Sequence, residues 1–240
     1  MKHNISRKFY PVILIVLMSS AFPLSAESSK PIALVVKTSG ISHLLRGSKR
    51  TPVKINDFVM PEDRIQTNKN ATVNLQFSSG VIFMIGSTSS DSDVKIKKFE
   101  KTDDSQEIGL ELIKGSLAAS SEKLAKKDSI SVTTPTAIAG VRGTEFIVDA
   151  DEDSTEVLVN EGSVAVSDVN EEKEVIVEPG NKVIADTKGL QLAILEQFEK
   201  QRFEMIKSLE DSRQKNMEAL INQIERDRKT LEGVKNPFDK

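Results

Sequence analysis

Apolar and polar residues alternate with a period of two along most of the chain between residues 32 and 186. Val73, Leu75 and Phe77 fall on one face while Thr72, Asn74 and Gln76 fall on the other, as a half-buried strand requires. Similar short runs, rich in β-branched residues and separated by Gly, Asn, Asp and Pro, predict strands at 32–37, 41–46, 53–60, 64–67, 71–77, 81–85, 94–99, 108–114, 116–120, 129–134, 144–149, 155–159, 163–167, 174–178 and 182–186. Strands this short and this evenly spaced predict a mainly β fold, either a sandwich or a short solenoid-like stack of β-hairpins.

One pattern recurs three times. Leu75-x-Phe77-x-x-Gly80-x-Ile82, Leu110-x-Leu112-x-x-Gly115-x-Leu117 and Val157-x-Val159-x-x-Gly162-x-Val164 share an apolar alternation, a glycine and a second apolar alternation. Each predicts a tight hairpin whose glycine supplies the positive φ of the turn. The unequal spacing argues for related hairpins packed in one domain rather than a regular array.

The periodicity changes near residue 187. From there Leu, Ile, Met, Glu, Lys and Gln dominate, and the spacing predicts one long amphipathic helix over 189–234, with Gly189 at its start, Gly233 at its end and Pro237 beyond. Glu196→Lys200, Asp211→Lys215 and Glu225→Lys229 stand at i,i+4 in the favourable orientation. Phe203, Met217, Ile224 and Leu231 recur every seven residues, but Glu210 shares that register, so the coiled-coil signal is weak. Two readings of this helix stand. It docks on the β-domain or stands free in solvent, or it serves oligomerisation or a partner. Residues 235–240 read as a disordered tail.

The most specified segment runs from Thr134 to Phe146. Pro135 ends one ladder, Gly140 and Gly143 bracket Val141-Arg142, and an alternating strand from Thr144 to Val148 follows. The segment reads as a defined bend. Arg142 has two readings, a structural pairing with a carboxylate or carbonyl and a direct contact with an anion or partner. Thr134, Pro135, Gly140, Val141, Arg142, Gly143, Thr144 and Phe146 are the candidate contact residues.

At the N-terminus, Lys2, Arg7 and Lys8 precede a short apolar run over 12–18 and the small residues Leu24-Ser25-Ala26, which predicts an export signal at 1–26. The run is shorter than the roughly 20 residues of a membrane span. Cleavage and retention as an anchor both remain open. Export places the protein in the periplasm or cell envelope, with the β-domain at 27–188. Loss of 1–26 takes the formal charge from −3 to −6. It also leaves His43 as the one histidine, in a chain with no cysteine or tryptophan. Thiol chemistry, disulfides and multi-histidine zinc sites are therefore excluded, and His43 mid-strand reads as a solvent-facing residue. An acidic chain left with neither tyrosine nor tryptophan for stacking is a poor nucleic-acid binder. No cofactor and no metal site is expected, and enzyme is the less favoured class.

The acidic run over 149–153 tempts a calcium reading, but Ser154 and Asn160 stand where that loop needs Gly and Glu, so a solvated hairpin turn is favoured. The Gly140–Thr144 stretch lacks the Lys and following helix of a phosphate loop. Lysines at 95, 97, 98, 123, 126 and 127 read as guards on strand edges.

The segment Thr134-Pro135-x-Ala137-x-x-x-Val141-Arg142-Gly143-Thr144-x-Phe146, followed by Glu161-Gly162-Ser163-Val164 and Pro179-Gly180, resembles the FecR-domain family. Asp63-Arg64-Ile65-Gln66-Thr67 and the hairpin from Leu75 to Ile82 resemble its leading strands, so the likeness covers about residues 38–186. The resemblance implies an all-β periplasmic module without catalytic residues. Its best-known members relay an outer-membrane receptor's iron-siderophore signal through the inner membrane to a sigma factor. Those members carry a cytoplasmic sigma-binding region, a membrane span and a receptor-contacting C-terminal region, where an export signal and a helix are expected in this chain. What carries over is the β-module and its mode of action. The leading expectation is a non-catalytic binding module that engages an envelope protein in signalling or scaffolding. The second is a binder of cell-wall glycan or peptidoglycan. Homo-oligomerisation through the C-terminal helix is a further expectation.

Overall fold

The computed structural model describes residues 31–77, 80–102, 105–120, 128–169 and 173–204, apart from the side chains of 142–144. The expected signal at 1–26, the helix beyond 204 and the tail lie outside them, as do Lys123, Lys126 and Lys127.

Fifteen strands form one continuous hydrogen-bonded network. The first half comprises β1 (Ala33–Ser39), β2 (Ser42–Arg46), β3 (Lys49–Pro52), β4 (Phe58–Val59), β5 (Arg64–Thr67), β6 (Thr72–Phe77), β7 (Ile82–Ile85) and β8 (Ser92–Lys101). Then follow β9 (Gln106–Ser120), β10 (Ser129–Thr133), β11 (Ala137–Ala150), β12 (Thr155–Asp168), β13 (Glu174–Val177), β14 (Asn181–Asp186) and β15 (Gly189–Ile194). The mainly β expectation holds, and the strand at 53–60 shrinks to the two residues of β4.

The long strands β9, β11 and β12 organise the molecule because each changes partners along its length. The first half of β9 lies between β8 and parallel β10, and its second half lies between β7 and β11. The first half of β11 pairs β10 and the end of β12; after a register shift between Arg142 and Glu145, its second half pairs β9 and the start of β12. On the other edge of β12, β14 covers the first half and β13 the second.

This pairing corrects two of the three expected hairpins. Gly80 does close a hairpin between β6 and β7, where Phe77 N donates to Val81 O at 2.9 Å. Gly115 and Gly162 instead sit inside β9 and β12 with φ of 93° and 78°. There the positive φ bends a strand that continues, because each half already has partners in register. A Cβ at Gly115 would lie 2.3 Å from Ser92 Oγ and 2.4 Å from Asp91 O, so the bend also brings β9 onto the chain entering β8.

One large apolar core gathers the alternating inward residues of nearly every strand, including Val73, Leu75, Phe83, Leu117, Phe146 and Val157. Phe77 and Phe83 meet edge to face with centroids 5.4 Å apart. The opposite face of β7, β9, β11 and β12 carries a second, small cluster of Ile82, Ala118, Ile147 and Leu158, and Leu195 and Phe203 close over it.

Leu195 and Phe203 flank the correction to the expected long helix. Gly189, at φ of 99°, ends the turn that leads into β15, which pairs β14 from Asp186↔Gly189 to Asn181↔Ile194. Leu190, Leu192 and Ile194 fit a period of two as readily as a helical one, and the open edge of β14 decides between them. The described helix, α1 (197–204), has eight residues and starts well after 189. Glu199 begins it by accepting from Glu196 N at 2.7 Å, the backward reach of a capping box.

Candidate partner-binding site

The Thr134–Phe146 segment is distributed along a strand. Thr134-Pro135-Thr136 makes the turn between β10 and β11, with Thr134 N donating to Ala137 O at 2.9 Å. The Thr134 hydroxyl is buried, accepts from Ala137 N at 2.9 Å and lies 2.7 Å from Thr155 Oγ1. Thr136 Oγ1 spans to Ala185 O at 3.0 Å, so this corner clips β10 and β11 to the start of β12 and to β14. Val141 and Phe146 are buried in the main core, while Gly140 pairs with Ala165 on β12. Arg142, Gly143 and Thr144 fall at the register shift of β11. Beside them, buried Glu145 accepts from Asn160 Nδ2. Thr134, Pro135, Gly140, Val141 and Phe146 all lie outside the groove that opens beside α1.

That groove, of about 800 Å3, lies where the loop after β7, the bend of β9, the β11–β12 turn and α1 converge. Met84, Ala118 and Ile147 form part of its apolar floor, and Lys114 and Asp151 stand on its rim. The loop wall is shaped by hydroxyls: Ser87 Oγ accepts from Ser89 N at 3.2 Å and Ser90 N at 3.1 Å, while Asp91 Oδ1 accepts from Lys69 N at 2.7 Å. On the facing turn, Asp151 Oδ1 accepts from Asp153 N and Ser154 N, the solvated acidic turn the sequence favours over a calcium loop. Phe198 projects from α1 with 60% of its surface exposed and is the one aromatic of the lining.

Charged pairs hold α1 in place. Arg202 Nη2 donates to Asp149 Oδ1 at 2.8 Å and to Ser116 Oγ at 3.3 Å, and Nη1 completes a two-pronged contact with Asp149. Burial works against the Arg202 charge, but the Asp149 carboxylate outweighs it and raises the guanidinium pKa. Lys182 binds Glu156 at 2.7 Å and also the buried Glu199. Desolvation again opposes the charge, and the two carboxylates together raise the lysine pKa.

A second set of pairs braces the far side of the module. Arg46 grips buried Asp63 through Nε at 2.8 Å and Nη2 at 2.7 Å, and Arg64 grips Asp93 in the same two-pronged way. Lys95, Lys97 and Lys98 pair with Glu62, Glu111 and Glu107. Lys95 and Lys97 thus serve cross-strand or turn contacts near a paired strand, β8, more than edge protection. His43 is half-buried, its Nδ1 3.2 Å from Arg50 Nη2.

The groove and its latches escaped the sequence reading. Arg202, Asp149, Lys182 and Glu199 are far apart in the chain, and a lone charge on an amphipathic helix looks solvated. The helix start at 197 was equally hidden, because Glu196 replaces the Ser, Thr, Asp or Asn that would mark it, and only Glu199 supplies half of a capping box.

The fold defines an all-β module with a docked C-terminal helix. Residues 63–165, from Asp63 through the register shift of β11 to Ala165, match the family described as FecR protein. Among solved structures, two crystal structures of a "putative anti-sigma factor" from Parabacteroides distasonis ATCC 8503, at 2.50 and 1.65 Å resolution, are similar. Identities are 18% and 19% and TM-scores 0.46 and 0.44, over 58% and 55% of this chain. The chain covers 63% and 60% of those solved chains. No curated protein matches.

Proposed function

We propose that the chain is an exported, non-catalytic FecR-domain module that binds a protein of the cell envelope in signalling or scaffolding, with the groove beside α1 as its contact surface. The family match supports a regulatory role. The observation that carries the reading is how the groove's charges are used. Asp149 is held by Arg202 and Glu156 by Lys182, so these acids serve to fix the wall rather than to move protons. What they leave open is an apolar floor, a hydroxyl-rich wall and the exposed Phe198 ring, an arrangement suited to a side chain or short segment of another protein.

The test compares wild type with Phe198→Asp and Lys114→Glu as baits for envelope extract. The expected result is one protein recovered by wild type and reduced at least tenfold by Phe198→Asp, with the melting temperature unchanged. Equal recovery by all three baits would remove the groove from the account. The loop over 87–90, rich in hydroxyls, favours a second reading, binding of cell-wall glycan. Failure to sediment with purified sacculi would end it.

A further inference from the structure

Among the described strands, β3, β4, β13 and β15 have a single partner each. Three of these edges carry the usual protection against pairing with another chain. β3 reads Lys-Arg-Thr-Pro, β4 has two residues, and β13 opens with Glu174 and is followed by Glu178-Pro179. β15 has none. Its sequence, Gly-Leu-Gln-Leu-Ala-Ile, holds no charge and no proline, and its register against β14 is unbroken.

The backbone direction of β15 follows from one bond beyond it. Leu195 N donates to Gly180 O at 2.9 Å, so residues 193, 191 and 189 of the same parity face β14. The N–H and C=O groups of Leu190, Leu192 and Ile194 therefore point outward. These three residues also share one face, which is the core face, because Leu192 lies opposite buried Val183 and Leu190 opposite buried Ala185. Leu190 packs on the main core, whereas Leu192 and Ile194 run past its end, 57% and 74% exposed.

We infer that β15 is a self-association edge, on which a second copy of this chain adds its own β15 in antiparallel register. The pattern is self-complementary. With a two-fold axis at Leu192, Leu192 faces Leu192 of the other copy, and Leu190 faces its Ile194 on both sides of the axis. Every cross-strand pair on that face is apolar, and no like charges meet. The outward backbone groups of all three residues find partners, and the two cores become continuous beneath the joint. A ribbon of six residues buries less than the roughly 1,200 Å2 of a standard interface, so the pairing is weak and concentration-dependent, with a dissociation constant on the order of 0.1 mM.

The experiment is sedimentation of the purified chain, expressed with its own N-terminal segment, from 10 μM to 1 mM. The expected result is an average mass that rises with concentration toward twice the monomer. Leu192→Pro removes an outward N–H without touching the bonds to β14, and proline is tolerated on such an edge. It and Ile194→Lys should each weaken association at least tenfold with little change in melting temperature. Because the chain has no cysteine, Leu192→Cys reports the axis directly. Paired residues at such a hydrogen-bonded position stand about 5.5 Å apart, within reach of a short thiol-to-thiol linker, so a bismaleimide should give a covalent dimer, while Lys49→Cys on guarded β3 should not. A wild type that stays monomeric at 1 mM, or equal cross-linking at 192 and 49, would overturn the inference. So would association that survives both edge variants. If Leu192→Pro unfolds the chain at low concentration, a segment of the same chain covers this edge, and the inference is likewise overturned.

Discussion

Replacing Asp63 by alanine removes the acceptor of three hydrogen bonds at once: two from Arg46, at 2.8 and 2.7 Å, and one from Met60 N at 2.8 Å. The carboxylate is 1% exposed and its partner's side chain 48%. These two exposures set the magnitude. The Met60 N–H sits in a tight turn and loses its acceptor, which costs about 1–3 kcal/mol. Arg46 is half in water and is rehydrated when the pair breaks, so the ion pair itself contributes only about 1 kcal/mol. The expected loss is therefore roughly 2–4 kcal/mol, toward the lower side of the roughly 3–5 kcal/mol of a fully buried pair. For a domain of this size that lowers the melting temperature by roughly 4–16 °C, measurable by calorimetry or a urea titration. Asp63→Asn keeps the shape and one acceptor and should fall between the two. A double-mutant cycle with Arg46→Ala should return a coupling of about 1 kcal/mol. A shift below 1 °C for Asp63→Ala, or no coupling to Arg46, would refute the claim that this pair pins β2 to the turn before β5.

Thr134→Val keeps the volume and deletes the hydroxyl that serves Ala137 N and Thr155. It should cost about 1–3 kcal/mol in chemical denaturation. Gly115→Ala adds a side chain at positive φ against Asp91 and Ser92, and the soluble yield and melting temperature should both fall sharply. Phe203→Ala empties the small cluster under α1 at a cost of about 3 kcal/mol. Hydrogen exchange should show residues 197–204 losing protection while β9 and β11 keep theirs. The Lys182 pairs give a pH dependence with a definite sign. The folded pKa is raised, so the stabilisation is complete below the ordinary lysine value of 10.5 and is lost as pH climbs through the folded value. The stability gap between wild type and Lys182→Gln should therefore be constant up to about pH 10 and close above it.

Period-two alternation placed most strands, because a half-buried strand writes its burial directly into its side chains. Ser129 to Thr133 is the clear case, with Ile130 and Val132 buried between more exposed Ser and Thr. Partnership is not written that way. The same glycine at positive φ turns the chain at Gly80 and merely bends it at Gly115 and Gly162. The difference lies in β7, β8, β11 and β14, which offer hydrogen bonds to both halves of the bent strands. Leu190 to Ile194 were ambiguous for the same reason, since the vacant edge of β14, invisible in the local sequence, made them a strand. The Thr134–Phe146 motif was legible as a specified element, yet its local pattern could not tell a corner clip from a contact loop. The groove was least legible, because it is assembled from the loop after β7, two strand turns and α1.

The most direct test of the account is site-specific photo-cross-linking in intact cells, with a benzophenone side chain at position 198 and, as control, at position 50 on β3. A discrete adduct to one envelope protein is expected at 198 and none at 50. No protein adduct at 198, or the same adducts at both positions, would contradict it.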